Sequence, residues 1–234
     1  MTSEQPSTPT FIAGTDWPLQ GTPITEWIAQ LEERRGDSFT RVLNLKEKIA
    51  HEGQDGSPNV LLVGSGEIEP LEYGLAGFHV TAYERDSDSA KRTTALIERA
   101  GVSGRVTMVP NEFNTAAVVD RRVGQYKLIV LDRVLHYFTP SDAIGLLSKI
   151  QGETLSGCRI KAKIFLKNSE IFSRPNNPYF TGNNWDPTVD EVLALFPEDK
   201  WSVEYNSGEQ SSPSPMNGRE NMFNYSVSLI VKKK

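Results

Sequence analysis

The chain has 234 residues, 38% of them hydrophobic and 24% charged, so it can bury a full core and lacks the composition of a disordered chain. A net charge of −5 and a sequence pI near 5.4 argue against a general polyanion-binding surface, so nucleic acid is not an expected partner. No apolar run approaches the roughly 20 residues that cross a bilayer, the start lacks the basic flank and apolar core of a secretion signal, and Cys158 is the only cysteine, which excludes an internal disulfide and a cysteine-built zinc site; a cytoplasmic protein with no membrane partner is expected.

Residues 1–20, rich in Ser, Thr, Pro and Gln, predict a flexible arm that only Phe11, Ile12 and Trp17 are able to anchor. No linker splits the remainder, so 21–234 is expected to be one domain: a helical cap over 21–56, a ligand-binding core over 57–166, and a substrate loop with a closing hairpin over 167–234. Thr22-Pro23 has the cap and first-turn signature of a helix whose apolar stripe, Ile24, Trp27, Ile28 and Leu31, ends before Gly36. A second helix is predicted over 38–51, with Phe39, Val42, Leu43 and Ile49 facing inward.

Residues 59–63 form a continuous apolar run that ends in Gly64-Ser65-Gly66, the pattern of a parallel strand buried on both faces and turning sharply into a helix. Gly64 and Gly66 supply the turn and let a ligand approach the backbone. A second apolar strand over 78–83 closes on Glu84, 20 residues after Gly64. At that spacing a carboxylate reaches the two hydroxyls of a ribose bound over the first turn. Around the turn stand Glu67, Glu69 and Glu72, with no Lys or Arg from 59 to 84. Carboxylates there repel a pyrophosphate and attract an ammonium or sulfonium, so the expected ligand is a nucleoside carrying a cation.

The alternation continues. Asp86 opens a helix that Gly101 ends; a third strand covers 105–109 and a fourth 126–131; Thr139-Pro-Ser-Asp142 is a capping box for a helix through 155. A fifth strand over 157–166 places Lys161, Lys163 and Lys167 opposite Ile160, Ala162 and Ile164, as on the solvated side of a strand. Asp186-Pro187 is expected to cap a helix through 195. Residues 201–205 then pair with 222–231 as a terminal hairpin, leaving 206–221 as a long loop. The predicted fold is α/β: a doubly wound, mostly parallel seven-stranded sheet with an antiparallel last strand, helices on both faces, and an N-terminal helical extension.

On these residues, 59–232 resemble the class I S-adenosylmethionine-dependent methyltransferases. The resemblance implies S-adenosylmethionine as cofactor, with Glu84 on the ribose, Glu112 near the adenine amine, Gly64, Gly66 and Asp132 around the methionine portion, Asp132 also facing the substrate, and Ser65 and Arg85 as further cofactor-binding residues. It implies that Asp132-Arg-Val-Leu-His-Tyr-Phe138 lines the transfer site. His136 is then the candidate base, an imidazole at the mouth of the fourth strand, with Asp132 and Tyr137 as further candidate catalytic residues. Loop 168–185, carrying Phe172, Arg174, Tyr179, Phe180 and Trp185, suits a flat or anionic small molecule. The implied activity is methyl transfer to a small-molecule acceptor by a monomer or homodimer. Two departures stand in the first motif, Leu62 where the family has an acid and Ile68 where it has a third glycine. They leave open an alternative: a catalytically inactive binding or regulatory protein on the same fold.

Overall fold

The computed structural model describes residues 17–51, 58–64, 66–111, 113–114, 123–167, 169, 183–212 and 222–234. Seven strands form one sheet in the order β3-β2-β1-β4-β5-β7-β6. They are β1 (Asn59–Val63), β2 (His79–Tyr83), β3 (Val106–Val109), β4 (Leu128–Asp132), β5 (Arg159–Phe165), β6 (Trp201–Ser212) and β7 (Met222–Lys233). The first five run parallel, and β7 runs antiparallel to both β5 and β6. The chain winds outward from β1 to β3, then returns to the other side of β1 as β4. That reversal opens a crevice at the carboxyl ends of β1 and β4, the place where open α/β sheets bind ligands.

Alternate residues of each central strand feed two cores. On one face, Val60, Leu62, Val80 and Val130 pack with α1 (Ile24–Arg35), α2 (Ser38–His51), α3 (Glu69–Leu75) and α4 (Ser87–Arg99). On the other, Leu61, Val63, Ile129, Leu131, Ile160 and Val227 pack with α5 (Pro140–Glu153) and α6 (Val189–Ala194). The doubly wound α/β architecture expected from the sequence is the one observed. Among the described residues no helix is long and apolar enough to cross a membrane.

The N-terminal helices bury one side of the sheet. Trp27 and Leu31 of α1 and Phe39, Val42, Leu45 and Ile49 of α2 are buried. Leu45 takes the inward place expected for Leu43, which is 37% exposed, because the 3.6-residue period running from Val42 to Ile49 passes through Leu45. Trp17 stacks on Trp27 with ring centres 5.8 Å apart, and its carbonyl accepts from Arg99 Nη2 at 2.6 Å. Arg99 closes α4 at the amino-terminal edge of the sheet, so the arm is rooted at the edge away from the crevice; Phe11 and Ile12 lie outside the described residues.

Two boundaries differ from expectation. Thr188, not Asp186, caps α6, because Thr188 and Glu191 make a reciprocal capping box. The closing hairpin is longer than 201–205: β6 runs on to Ser212, paired with Met222. The stretch 206–212 has weak strand propensity by itself, and the long partner strand β7 holds it in register.

Candidate functional site

The crevice is built around the end of β1. Gly64 has φ 64° and donates its N–H to the Tyr83 carbonyl at 3.0 Å. A Cβ there would meet Val134 Cγ2 at 3.0 Å, so both conformation and space require glycine. Gly66 has φ 62°, but a Cβ on it would meet nothing within 4 Å, which leaves its backbone open to a ligand. Ser65 and Glu112 lie outside the described residues.

Glu84 follows β2 directly and is half-buried. Its Oε1 accepts from the Asp86 N–H at 2.9 Å, and among the described residues its other oxygen makes no hydrogen bond. Beside it Glu67 is fixed by α4: Arg92 Nε donates to Glu67 Oε1 at 2.6 Å. Glu67 Oε2 is buried with no hydrogen-bond partner among the described residues. A buried carboxylate oxygen without a donor is costly. The sequence signalled Glu67 only as part of the acidic turn; its ion pair with a residue 25 positions on made it specific.

The other two acids of the turn do not face the crevice, which corrects the expectation of three carboxylates around the ligand. Glu69 and Glu72 sit on the inward face of α3 at 5% and 1% exposure. Arg35, at the end of α1, reaches Glu72 Oε1 at 2.8 Å and Glu69 Oε1 at 3.7 Å, and Ser38 Oγ donates to Glu72 Oε2 at 3.3 Å. Burial, and next the charge of Asp132, push the Glu69 pKa up to about 8. Ile68 is also turned inward, 8% exposed within the first core, so it does not crowd the turn. Leu62 is fully buried between Ala82 and Val130.

Asp132 ends β4. Arg133 follows in the left-handed region at φ 53°, donating its N–H to the Lys163 carbonyl at 2.8 Å and its Nε to Asp132 Oδ1 at 3.2 Å. A short 3₁₀ turn, Leu135–Tyr137, comes next. His136 is fully buried in it, with its ring 4.8 Å from that of Phe165. Burial first, then the Arg133 charge, bring its pKa down to about 3, so it is a neutral imidazole and not a group titrating near neutrality. Tyr137 is 37% exposed, and the Arg85 guanidinium lies 5.5 Å from its ring centre. Of the aromatic loop, buried Trp185 donates its backbone N–H to the Phe138 carbonyl at 2.8 Å; Phe172, Arg174, Tyr179 and Phe180 lie outside the described residues.

Gly64, Gly66, Glu84, Arg85, Asp132 and Tyr137 are thus gathered at the carboxyl edge of three adjacent strands, β2, β1 and β4, while His136 lies beneath them. A parallel sheet reversing at β1, a left-handed glycine turn and an acid ending the next strand define the class of doubly wound α/β folds. No protein-family model and no curated protein matches the sequence. Solved structures do match: TehB from Haemophilus influenzae has a TM-score of 0.64 and 14% identity over 87% of this chain, which spans 66% of that one. A S-adenosylmethionine-dependent methyltransferase from Methanosarcina mazei has a TM-score of 0.55 and 13% identity, with 79% of this chain and 96% of that chain covered. Magnesium protoporphyrin IX methyltransferase from Synechocystis, solved with bound S-adenosylhomocysteine, has a TM-score of 0.55 and 13% identity, with 83% and 82% covered. The fold is that of the class I S-adenosylmethionine-dependent methyltransferases.

Proposed function

We propose that the protein transfers a methyl group from S-adenosylmethionine to a small-molecule acceptor. The observation that carries this is the left-handed Gly64 turn with the half-buried Glu84 carboxylate at the end of the neighbouring strand, one of its oxygens unengaged among the described residues. A carboxylate at that place suits the hydroxyl donors of a ribose, and it disfavours a phosphate. The backbone at Gly66 admits close approach, and Asp132, at the next strand end, offers a carboxylate to the cationic portion of the cofactor.

Bound there, S-adenosylmethionine supplies an electrophilic methyl group on a sulfonium. The residues of the chain orient and exclude water. Glu67 is locked by Arg92, Gly64 by the Tyr83 carbonyl, and Asp132 by Arg133, so the carboxylates need little reorganisation on binding. His136, buried and neutral, supports the wall of the crevice through Phe165 and Tyr137; Asp132 is the better placed group to orient or accept an acceptor's proton.

Calorimetric titration of the full chain with S-adenosylmethionine, S-adenosylhomocysteine and NAD tests this, repeated on Glu84→Ala. The expected result is binding of the two adenosyl ligands, weakened at least tenfold by Glu84→Ala, and none of NAD. Silence from both adenosyl ligands overturns the proposal.

A further inference from the structure

Beside the crevice, on the sheet face that carries α1 and α2, the helices leave β5, β7 and β6 uncovered. A groove of about 310 Å³ lies there, lined by Asp132, Lys161, Lys163, Glu204, Ser228 and Ile230. That is near the lower end of the roughly 300–1,000 Å³ typical of small-molecule pockets. The register explains its composition: Lys161 and Lys163 are two apart on β5 and share a face, Lys163 sits across from Asp132 and Ser228, and Lys161 across from Ile230, which faces Glu204.

The charges of the groove do not cancel evenly. Glu204 is paired with Lys48 of α2 at 2.8 Å, and Asp132 Oδ1 with Arg133 at 3.2 Å. Glu72, a buried acid that feels the charge of Lys161, is held by Arg35. Lys161 is half-buried on β5 and makes no hydrogen bond or ion pair within 4 Å among the described residues. Half-burial weakens the hold of Lys163 on its proton, opposed by the charge of Asp132 and reinforced by those of Arg133, Arg41 and Lys161. The Lys161 ammonium beside an apolar neighbour, with both acids of the groove already engaged, is complementary to an anion with an apolar body.

We propose that this groove seats the methyl acceptor, and that the acceptor is a small organic anion, its acidic group held by Lys161 and its apolar part against Ile230. The acceptor role rests on the methyl-transfer reading, because Asp132 is the residue that groove and cofactor crevice share. The alternation of Lys161 and Lys163 with Ile160, Ala162 and Ile164 made them the solvated side of a strand in the sequence; the structure makes that side the wall of a groove.

Calorimetry with benzoate and phenyl phosphate, and benzamide as the uncharged control, tests the proposal on the full chain, on Lys161→Gln, Lys161→Arg and Glu84→Ala. Either acid is expected to bind at least tenfold tighter than benzamide, to lose at least tenfold in Lys161→Gln, to recover to within about threefold in Lys161→Arg, and to keep its affinity in Glu84→Ala. No measurable binding of either acid, equal affinity for benzamide, or an unchanged affinity in Lys161→Gln overturns it. S-adenosylhomocysteine is titrated into the same samples. Anion binding retained while that ligand is silent overturns the acceptor role and the methyl-transfer reading but leaves the anion site. Adenosyl binding with no anion binding overturns the groove alone.

Discussion

Arg85, just past β2, holds its guanidinium 5.5 Å from the ring centre of Tyr137, beyond β4, and so bridges the end of β1 that lies between those strands. The pair spans the crevice above Gly64. Exposed contacts of this kind contribute about 0.5–1 kcal/mol. If the aromatic face forms part of the adenosyl ligand's surroundings, Tyr137→Leu raises the Kd of S-adenosylhomocysteine roughly two- to fivefold by calorimetry. An unchanged Kd together with a lowered Tm would assign the pair to stability alone.

The two glycines of the turn separate conformational from steric cost. Gly64 and Gly66 have nearly the same positive φ, but only at Gly64 would a Cβ press on Val134. Gly66→Ala should cost about 1–2 kcal/mol, the penalty of the left-handed region for a side chain. Gly64→Ala should cost more and also weaken adenosyl binding. Denaturant unfolding of both variants checks the order, and equal costs would mean that Val134 moves freely aside.

Two buried groups should shape the pH dependence of stability in opposite directions. Glu69 has a folded-state pKa of about 8 against 4.5 unfolded, so its contribution is fully present below pH 4.5 and is lost as pH rises to 8. His136 has a folded-state pKa of about 3 against 6.5, so its contribution is present above pH 6.5 and is lost as pH falls to 3. Between 4.5 and 6.5 the folded state holds the proton of Glu69 and the unfolded state that of His136, and the two slopes cancel. Each limb outside that window carries at most about 1.4 kcal/mol per pH unit. Glu69→Gln should therefore flatten the decline between pH 6.5 and 8 relative to the unmodified chain, and His136→Gln the decline below pH 4.5, in unfolding measured across pH.

Much of this was legible beforehand because parallel strands buried on both faces read as continuous apolar runs, and 59–63 is one such run. The glycine turn and Glu84 follow from local spacing. What stayed hidden depended on partners far along the chain. The i, i+3 spacing of Glu69 and Glu72 sets them on one face of α3, but only Arg35, from a helix before β1, decides that this face points inward. The groove was equally out of reach, since β5 and β6 meet in it only through the antiparallel insertion of β7.

Arg133 stores conformational cost next to the site. It is the one described non-glycine residue with positive φ, at 53°, and it follows Asp132, whose carboxylate it holds at 3.2 Å. Side chains other than Gly, Asn and Asp are uncommon there, and the penalty is of order 1–3 kcal/mol when the surroundings impose it. Its backbone N–H donates to the Lys163 carbonyl, so the β4–β5 pairing fixes the conformation while the guanidinium orients Asp132. Replacing it with glycine should remove the strain and the ion pair together. Arg133→Gly is expected to hold or raise the midpoint of thermal unfolding, while weakening adenosyl binding severalfold as Asp132 loses its orientation. A lowered midpoint with intact binding would show the reverse, that Arg133 serves packing and leaves the carboxylate unaffected.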